Sequence, residues 1–411
     1  MATTKYKDSG IEWIGKIPET WDVDIAKHVF KQRRDKGNEE CQLLAATQKY
    51  GMYPQGLLEG VVKVAADTDL SQFKTVHKND YVISLRSFQG GFEMSDYEGV
   101  CSPAYQVFYA IRQINNQFYK YLFKSDAFIQ EINSLTVGIR EGKNILYDDF
   151  ALLPIPIPAT AEQQRIADYL DSKCGEIDSL IGLQEQMIEA LKAYKQSVIT
   201  EAVTRGLDPN AKLVPSGIDW IGEIPEGWEV CRFKSYIHLH NEKGSDTAAF
   251  KVNLENIESK SGRYVPTNSK YEGEGTSFKK GDVLFGKLRP YLAKVFAPET
   301  EGSAIGDIYV FRPSSHINTL FLKYTLLADT FVTIVDSSTY GTKMPRANWE
   351  FISCVPIVVP PLSEQHSIAS YLDEKCADID RLIAIKQQKI ETLKDYKKSV
   401  IYEAVTGKTI V

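Results

Sequence analysis

No apolar run in this chain approaches the roughly 20 residues that a membrane-spanning helix needs, and the opening stretch, Met1–Gly10, is polar with no signal-peptide core. Both absences predict a cytoplasmic protein that makes no use of a membrane. Cysteine is sparse: Cys41, Cys101, Cys174, Cys231, Cys354 and Cys376 stand apart with no C-x-x-C spacing, which argues against a zinc ribbon and a disulfide framework alike. Free, mostly buried thiols are expected. Positive charge is not in excess either, since the formal net charge is -6, and this argues against a protein that coats itself with nucleic acid indiscriminately. A large acidic scaffold can still carry local basic surfaces.

Catalytic signatures are missing as well. No glycine-rich cofactor loop precedes a helix and no nucleophile elbow occurs. His238 and His240 would share one strand face, yet no third ligand accompanies them, so no metal site is expected. Gly407-Lys408-Thr409 ends like a phosphate-binding loop, but Tyr402 occupies the first glycine position and no helix can follow. The expectation is a chain with no catalysis and no bound cofactor of its own.

What is present is ordinary globular composition, with 43% hydrophobic and 25% charged residues over 411 positions, enough for two to three folding units. The chain is also written twice. Ser9–Val23 returns as Ser216–Val230 with 11 of 15 positions identical, and Pro154–Thr204 returns as Pro356–Thr406 with 30 identities in 51. The offset is 207 residues for the first pair and 202 for the second, so the stretches between them differ in length as well as in sequence. A period this long is a gene-scale duplication, far beyond a solenoid repeat.

The repeated blocks after Glu162 and Glu364 read as long helices. Their mostly apolar or small residues recur at alternating steps of four and three: Leu170, Cys174, Ile177, Ile181, Gln184, Ile188, Leu191, Lys195 and Val198 in the first, Leu372, Cys376, Ile379, Ile383, Lys386, Ile390, Leu393, Lys397 and Val400 in the second. That is a heptad seam. Each helix follows a proline-rich stop and holds no internal proline. About 43 helical residues at 1.5 Å each give roughly 64 Å. If the seams pack, the second helix runs antiparallel to the first and holds two globular heads apart with approximate two-fold symmetry, at a reach of a little under two duplex turns of about 34–36 Å. Lys192, Lys195, Lys394, Lys397 and Lys398 are expected on outer faces where partners dock.

The fold class is therefore α+β, with two heads separated by a pair of long antiparallel coiled-coil helices. The expected division is a lead-in segment 1–23, a first head 24–158, a central helix 159–205, a linker with the repeated lead-in 206–230, a second head 231–361 and a closing helix 362–411. In the first head, Val61–Ala65, Tyr81–Arg86 and Tyr105–Ile111 read as strands and Gln117–Leu135 as one amphipathic helix. In the second, Asp282–Leu288, Ala293–Phe296 and Ile308–Phe311 read as strands, with one helix near Thr319–Val335. Trp13, Trp21, Trp220 and Trp228 are expected to be packing anchors.

Candidate contact residues fall in loops after these elements. Arginine pairs bidentately with guanine in the major groove, while lysine and backbone amides hold phosphates. The first head offers Ser84, Arg86 and Gln89, then Gly138, Arg140, Lys143 and Asn144, with a polar, aromatic loop of Thr47, Gln48, Lys49 and Tyr50. The second offers Lys287, Arg289 and Tyr291, then Tyr340, Gly341, Lys343 and Arg346.

The lead-in S-G-I-E-W-I-G-x-I-P-x-x-W, the D-V-L-F-G-K-L-R-P-Y-L strand and loop, and the P-x-x-E-Q-x-x-I-A-x-Y-L-D-x-K start of each long helix resemble specificity subunits of type I restriction-modification systems. The resemblance covers nearly the whole chain. It implies that each head is a target-recognition domain reading one half of a bipartite site in double-stranded DNA, with the helices setting the unread gap. It further implies two modification subunits, which bind S-adenosylmethionine and methylate adenine, and two restriction subunits, which use ATP and Mg to translocate and cleave DNA. A coiled-coil scaffold without DNA contact is the alternative, and it leaves the divergence of the heads unexplained.

Overall fold

The computed structural model describes all residues except 1–4, 38–40, 59–69, 136–144, 245–249, 270, 272, 340–342 and 410. The chain forms two compact units, residues 1–184 with 388–411, and residues 185–387. Each unit holds one head, the first part of one long helix and the last part of the other.

In the first unit an antiparallel sheet of four strands, β1 (Phe30–Arg33), β2 (Tyr81–Ile83), β3 (Glu93–Met94) and β4 (Gln106–Ala110), runs in the order β1-β4-β2-β3. Alternation sends Phe30, Tyr81, Ile83 and Phe108 to one face, where they meet helices α1 (Asn116–Lys124) and α2 (Asp126–Ser134). Val82 and Val107 go to the other face, against Leu44, Met52 and Val76. The single helix expected over Gln117–Leu135 is broken at Ser125, whose ψ of 141° is extended and whose side chain caps α2 by accepting from the Phe128 amide. The strand expected to run to Arg86 stops at Ile83, because the Ser84 amide donates to Ser87 Oγ and the chain turns. The expected strand Val61–Ala65 lies outside the described residues.

Beyond this head, helix α3 (Thr160–Arg205) is continuous. In the first unit its early residues Ile166, Leu170 and Cys174 share a core with Val400, Ala404 and Val405 of the second long helix.

The second unit repeats the plan. Strands β5 (Ile237–His240), β6 (Val283–Gly286), β7 (Val295–Phe296) and β8 (Ile308–Pro313) run in the order β5-β8-β6-β7, all antiparallel. Helices α4 (Thr319–Leu327) and α5 (Asp329–Ser337) again replace one expected helix, here broken at Ala328 with ψ 134°. The core combines Val198, Ile199, Ala202 and Val203 of α3 with Leu372 and Cys376 of α6 (Leu362–Val405).

The repeated motifs have local causes. Buried Gln163 accepts from the Asn115 amide at 2.7 Å and donates to the Pro158 carbonyl, and buried Gln365 accepts from the Asn318 amide at 2.8 Å and donates to the Pro360 carbonyl. Asn115 and Asn318 in turn cap α1 and α4. Tyr121 donates to Asp171 and Tyr324 to Asp373. The lead-in strand Asp22–Ile25 pairs with Pro154–Ile157, and Glu229–Arg232 with Pro356–Val359, which explains why the two repeated blocks of each copy persist together. Trp21 is fully buried, Trp228 donates to Glu364 at 3.0 Å, and Trp13 and Trp220 pack at the core margins.

All the named seam residues of α3 and α6 are buried or half-buried. Two lysines expected on outer faces are not there. Lys195 is buried and donates to both carboxylate oxygens of Asp380, at 2.9 and 2.8 Å. Lys397 donates to both of Asp178, each at 2.7 Å. Both extend along the seam because a carboxylate waits on the antiparallel neighbour. The pairs are the same pair twice, related by the 202-residue offset, yet Lys195 is 7% exposed and Asp178 beside Lys397 is 58% exposed. Asp380→Ala should therefore cost about 3 kcal/mol by stranding the buried Lys195 ammonium, and Asp178→Ala less than about 1 kcal/mol. Urea unfolding of the two variants measures the difference, and equal losses would contradict it.

Candidate nucleic-acid interface

In the first head two of the candidate loops meet. Leu44–Thr47 and Gly51–Pro54 form a hairpin with Gln48, Lys49 and Tyr50 at its tip. Thr47 Oγ1 accepts from the Tyr50 amide and donates to the Gly51 carbonyl, which closes the turn. Tyr50 is half exposed and packs on Tyr53 at 5.1 Å, and the Lys49 ammonium lies 4.9 Å from the Tyr50 ring centre. Gln48 reaches across to the second loop, where a Cβ on Gly90 would stand 2.9 Å from its Nε2.

That second loop leaves β2 through Ser84 into a short helical turn, Ser87–Gly90, which Arg86 precedes. Arg86 and Gln89 are exposed, and Arg86 forms no ion pair among the described residues. Its base is fixed from below. Glu93 is buried and paired to Lys124, which donates to Oε1 at 2.5 Å, while Oε2 has no partner. Burial pushes the Glu93 carboxyl up and the Lys124 ammonium down, and in each case their mutual attraction offsets only part of it. Gly138, Arg140, Lys143 and Asn144 lie outside the described residues.

The second head shows the same convergence with different chemistry. The loop after β6 passes through Arg289, with φ 50° and ψ 63°, into the turn Pro290–Leu292, and leaves at Ala293 with φ 44°. Left-handed backbone costs a side-chain-bearing residue roughly 1–2 kcal/mol. The loop is pinned hard enough to offset this. The Arg289 amide donates to Pro345 at 2.8 Å, the Ala347 amide to Lys287 at 2.8 Å, and the Lys260 amide to Leu292 and Ala293. Lys294, its ammonium pushed down by burial, donates to the carbonyls of Leu254 and Ile257 beneath the loop.

Thus Lys287, Arg289 and Tyr291 are brought against the segment that carries Lys343 and Arg346, and the described residues Leu288 and Arg346 form a bridge. Tyr340 and Gly341 lie outside the described residues. Arg289, Tyr291 and Lys343 are exposed, and Arg289 and Lys343 have no ion pair among the described residues. Arg346 is engaged: its Nε and Nη2 clasp both oxygens of Asp307, the shortest contact at 2.9 Å, which holds the guanidinium pKa above its ordinary value. Lys287 stands 3.7 Å from the same carboxylate and 5.2 Å from the Tyr309 ring centre. Asp307 was absent from the sequence reading, since a lone carboxylate before a strand carries no signal. His240 bonds Ser277 at 2.8 Å.

Set beside known proteins, this arrangement has a family. The model for the type I restriction modification DNA specificity domain matches residues 18–193 and 225–395, once on each copy, and the chain belongs to that family. The specificity subunit of the type I restriction enzyme EcoDI of Escherichia coli is 26% identical over 352 residues, covering 79% of this chain and 77% of its own. That of MjaVIII from Methanocaldococcus jannaschii is 24% identical over 428 residues, covering 96% and 94%. Among solved structures, a chain from work on complex assembly and conformational transition of the type I R-M system matches with a TM-score of 0.71 at 15% identity, covering 96% of this chain and 99% of that one. The HsdS subunit from Thermoanaerobacter tengcongensis matches with a TM-score of 0.54 at 16% identity, covering 96% and 98%. At these identities the structures speak for the fold alone.

The protein is a DNA-specificity subunit of a type I restriction-modification system, part of a complex that binds DNA. Such a subunit is non-catalytic and binds no cofactor; S-adenosylmethionine and ATP belong to the modification and restriction subunits. No helix among the described residues is long and apolar enough to cross a membrane.

Two expectations follow from the Arg346–Asp307 and Glu93–Lys124 pairs. Breaking the Arg346–Asp307 clasp by Arg346→Asp should weaken DNA binding about tenfold, an order of magnitude set by one well-placed ion pair, and adding Asp307→Arg should restore most of it, since the pair positions the loop in either polarity. Titration of a labelled duplex measures both, and a swap that restores nothing makes Arg346 itself a DNA contact. For Glu93, the pKa is raised above 4.5, so its stabilising contribution is present below that value and lost as pH rises through the higher folded value. Glu93→Met with Lys124→Met should therefore be more stable than the parent by about 1–4 kcal/mol at pH 7, by less near pH 4, and thermal melts at the two pH values read the change.

Proposed function

We propose that each head reads one half of a bipartite, asymmetric site in double-stranded DNA, and that α3 and α6 set the unread gap between the halves. The observation that carries this reading is the pairing of a retained frame with divergent loops. Both heads place an exposed arginine after the second sheet strand in chain order, Arg86 and Arg289, while the sequences around them differ. Thr47, Gln48, Lys49, Tyr50, Ser84 and Gln89 in the first head, and Lys287, Tyr291, Lys343 and Arg346 in the second, surround these arginines as contacts or supports, with Gly138, Arg140, Lys143, Asn144, Tyr340 and Gly341 as the further loop candidates. The residue ranges 24–158 and 231–361 are the two recognition domains in this reading.

Partner docking belongs to the helices. Leu180, Leu183, Met187, Tyr194, Leu382, Ile385 and Tyr396 are large apolar residues between 44% and 56% exposed, more than a solvated helix face requires. In the second unit Met187, Leu191, Tyr194 and Leu382 line a groove of about 400 Å³, suited to an apolar helix face. Two modification subunits dock there, and two restriction subunits complete the assembly in the cytoplasm.

The test is selection from random duplex DNA by this chain co-purified with its modification partner. A split motif with a fixed gap is expected. Arg86→Ala should relax one half of it and Arg289→Ala the other, each at a cost of about 1–3 kcal/mol in discrimination. No enriched motif, or a motif that neither variant changes, would set this reading aside.

A further inference from the structure

The first head carries a second basic surface away from the loops named above. Lys31-Gln-Arg-Arg-Asp-Lys36 places four cations in six residues, and Lys27 precedes it by one turn. Lys27 before β1, Lys31 and Arg33 within it and Arg34 just after it line a groove of about 570 Å³ with Tyr109 and Tyr147. Arg33 is committed: its guanidinium donates to buried Asp80 at 2.6 and 3.1 Å, to Asp35 at 3.3 Å, and lies 4.4 Å over Tyr109. Arg34 is exposed and donates to Gln32 at 3.1 Å. Lys27 and Lys31 are exposed and form no ion pair among the described residues. The acidic residues on the groove are Asp35, turned to Arg33, and Asp148. Positive charge therefore prevails here on a chain whose net charge is -6.

The second copy says what kind of role this is. At the same offset of 207 residues, Lys31, Arg33 and Arg34 become His238, His240 and Asn241, while Lys27, Lys36 and Gly37 persist as Lys234, Lys243 and Gly244. The backbone is the same: β5 pairs with β8 as β1 pairs with β4. Even the buried aspartate is kept as Asp282, though its guanidinium now comes from Arg312 on the neighbouring strand, at 2.8 Å. Charge has thus changed on a retained frame. A residue serving the frame, or a partner that docks alike on both copies, would have held it constant.

We infer that this groove is a phosphate-binding site of the first head, in which Lys27, Lys31 and Arg34 grip the backbone of duplex DNA without reading its bases, while Arg33 and Asp80 hold the strand that presents them. Cations on one strand meet a regularly charged polymer well, and each phosphate neutralised releases counterions. The grip supplies sequence-independent affinity that an acidic chain otherwise lacks, and it is lopsided, because the second head keeps only Lys234 of the three cations. The inference rests on DNA recognition by this head and not on which bases its loops read.

The test uses the chain co-purified with its modification partner and a combined Lys27→Gln, Lys31→Gln, Arg34→Gln variant. Affinity is measured for a selected and a scrambled duplex over a series of salt concentrations. The slope of log affinity against log salt should become shallower by roughly two to three. Affinity for both duplexes should fall by the same factor, about tenfold to a hundredfold at low salt, with the selected motif unchanged. The variant with Lys27→Arg and Lys31→Arg should keep the parental slope. An unchanged slope overturns the inference. So does a changed base preference, which would make these residues readers, and so does loss of the modification partner, which would make the groove a protein surface. Because the slope is also read on scrambled duplex, a parental complex that selects no motif sinks the half-site reading while the groove is still decided.

Discussion

An ammonium group reaching across to a carboxylate on an antiparallel neighbour fixes the register of the long helices in each unit, and the heads depend on that register. The seam alone leaves it under-determined. Leucine, isoleucine and cysteine recurring at threes and fours would slide past their partners by a heptad with modest loss of packing. Lys195 on Asp380, and its duplicate Lys397 on Asp178, each bind both carboxylate oxygens and so single out one alignment. A buried polar pair is a poor source of net stability, and the specification of register is its best-attested use. In this chain the register matters twice over, because Val400, Ala404 and Val405 complete the core of the first head and Val198, Ile199 and Val203 that of the second. A slipped pairing would withdraw core residues from both.

On that frame the duplication separates what must be kept from what is free to change. The kept residues sit where a head meets its helices: Gln163 and Gln365, buried and saturated with hydrogen bonds, and Tyr121 and Tyr324 on Asp171 and Asp373. A buried amide with its donors and acceptors satisfied is expensive to replace. The changed residues are the loops at strand ends, where a side chain faces water and substitution costs little. Between the two lies Asp80 with its duplicate Asp282, each under 4% exposed. The carboxylate is retained, yet Arg33 answers it from β1 and Arg312 from β8. Only the presence of a guanidinium is required.

The architecture was legible because its signals are periodic or repeated. A heptad seam within helices of more than forty residues and a duplicated block leave little room for another reading; the strands at Tyr81, Gln106 and Val283 fall inside the expected runs, and the one at Ile308 runs two residues past its own. The breaks at Ser125 and Ala328 did not show, because neither proline nor glycine marks them and the apolar period runs on across the gap. Lys195 and Lys397 carry two opposed signals in sequence, a seam position in the heptad and the ordinary solvation of lysine, and only a tertiary neighbour decides between them. Most of the interface was hidden for the same reason. Arg346 reads in sequence as one more basic residue, but Asp307, distant along the chain, turns it into a brace. The run Lys31–Lys36 carries no distinct signal in sequence, because basic residues along an edge strand are ordinarily a solvated face.

The strain in the second head and the charge balance of the whole chain point the same way. Holding Arg289 and Ala293 in left-handed backbone makes sense where the position of a side chain is worth more than the stability lost, as at ligand-contacting loops. Three backbone hydrogen bonds and the Asp307 clasp keep that loop in place before any ligand arrives, so little ordering entropy remains to be lost on binding. A net charge of -6 meanwhile keeps long-range attraction to nucleic acid weak. Outside the basic groove of the first head, a chain built this way gains little from arbitrary DNA and most where preset side chains meet matching groups, and that difference is what specificity consists of.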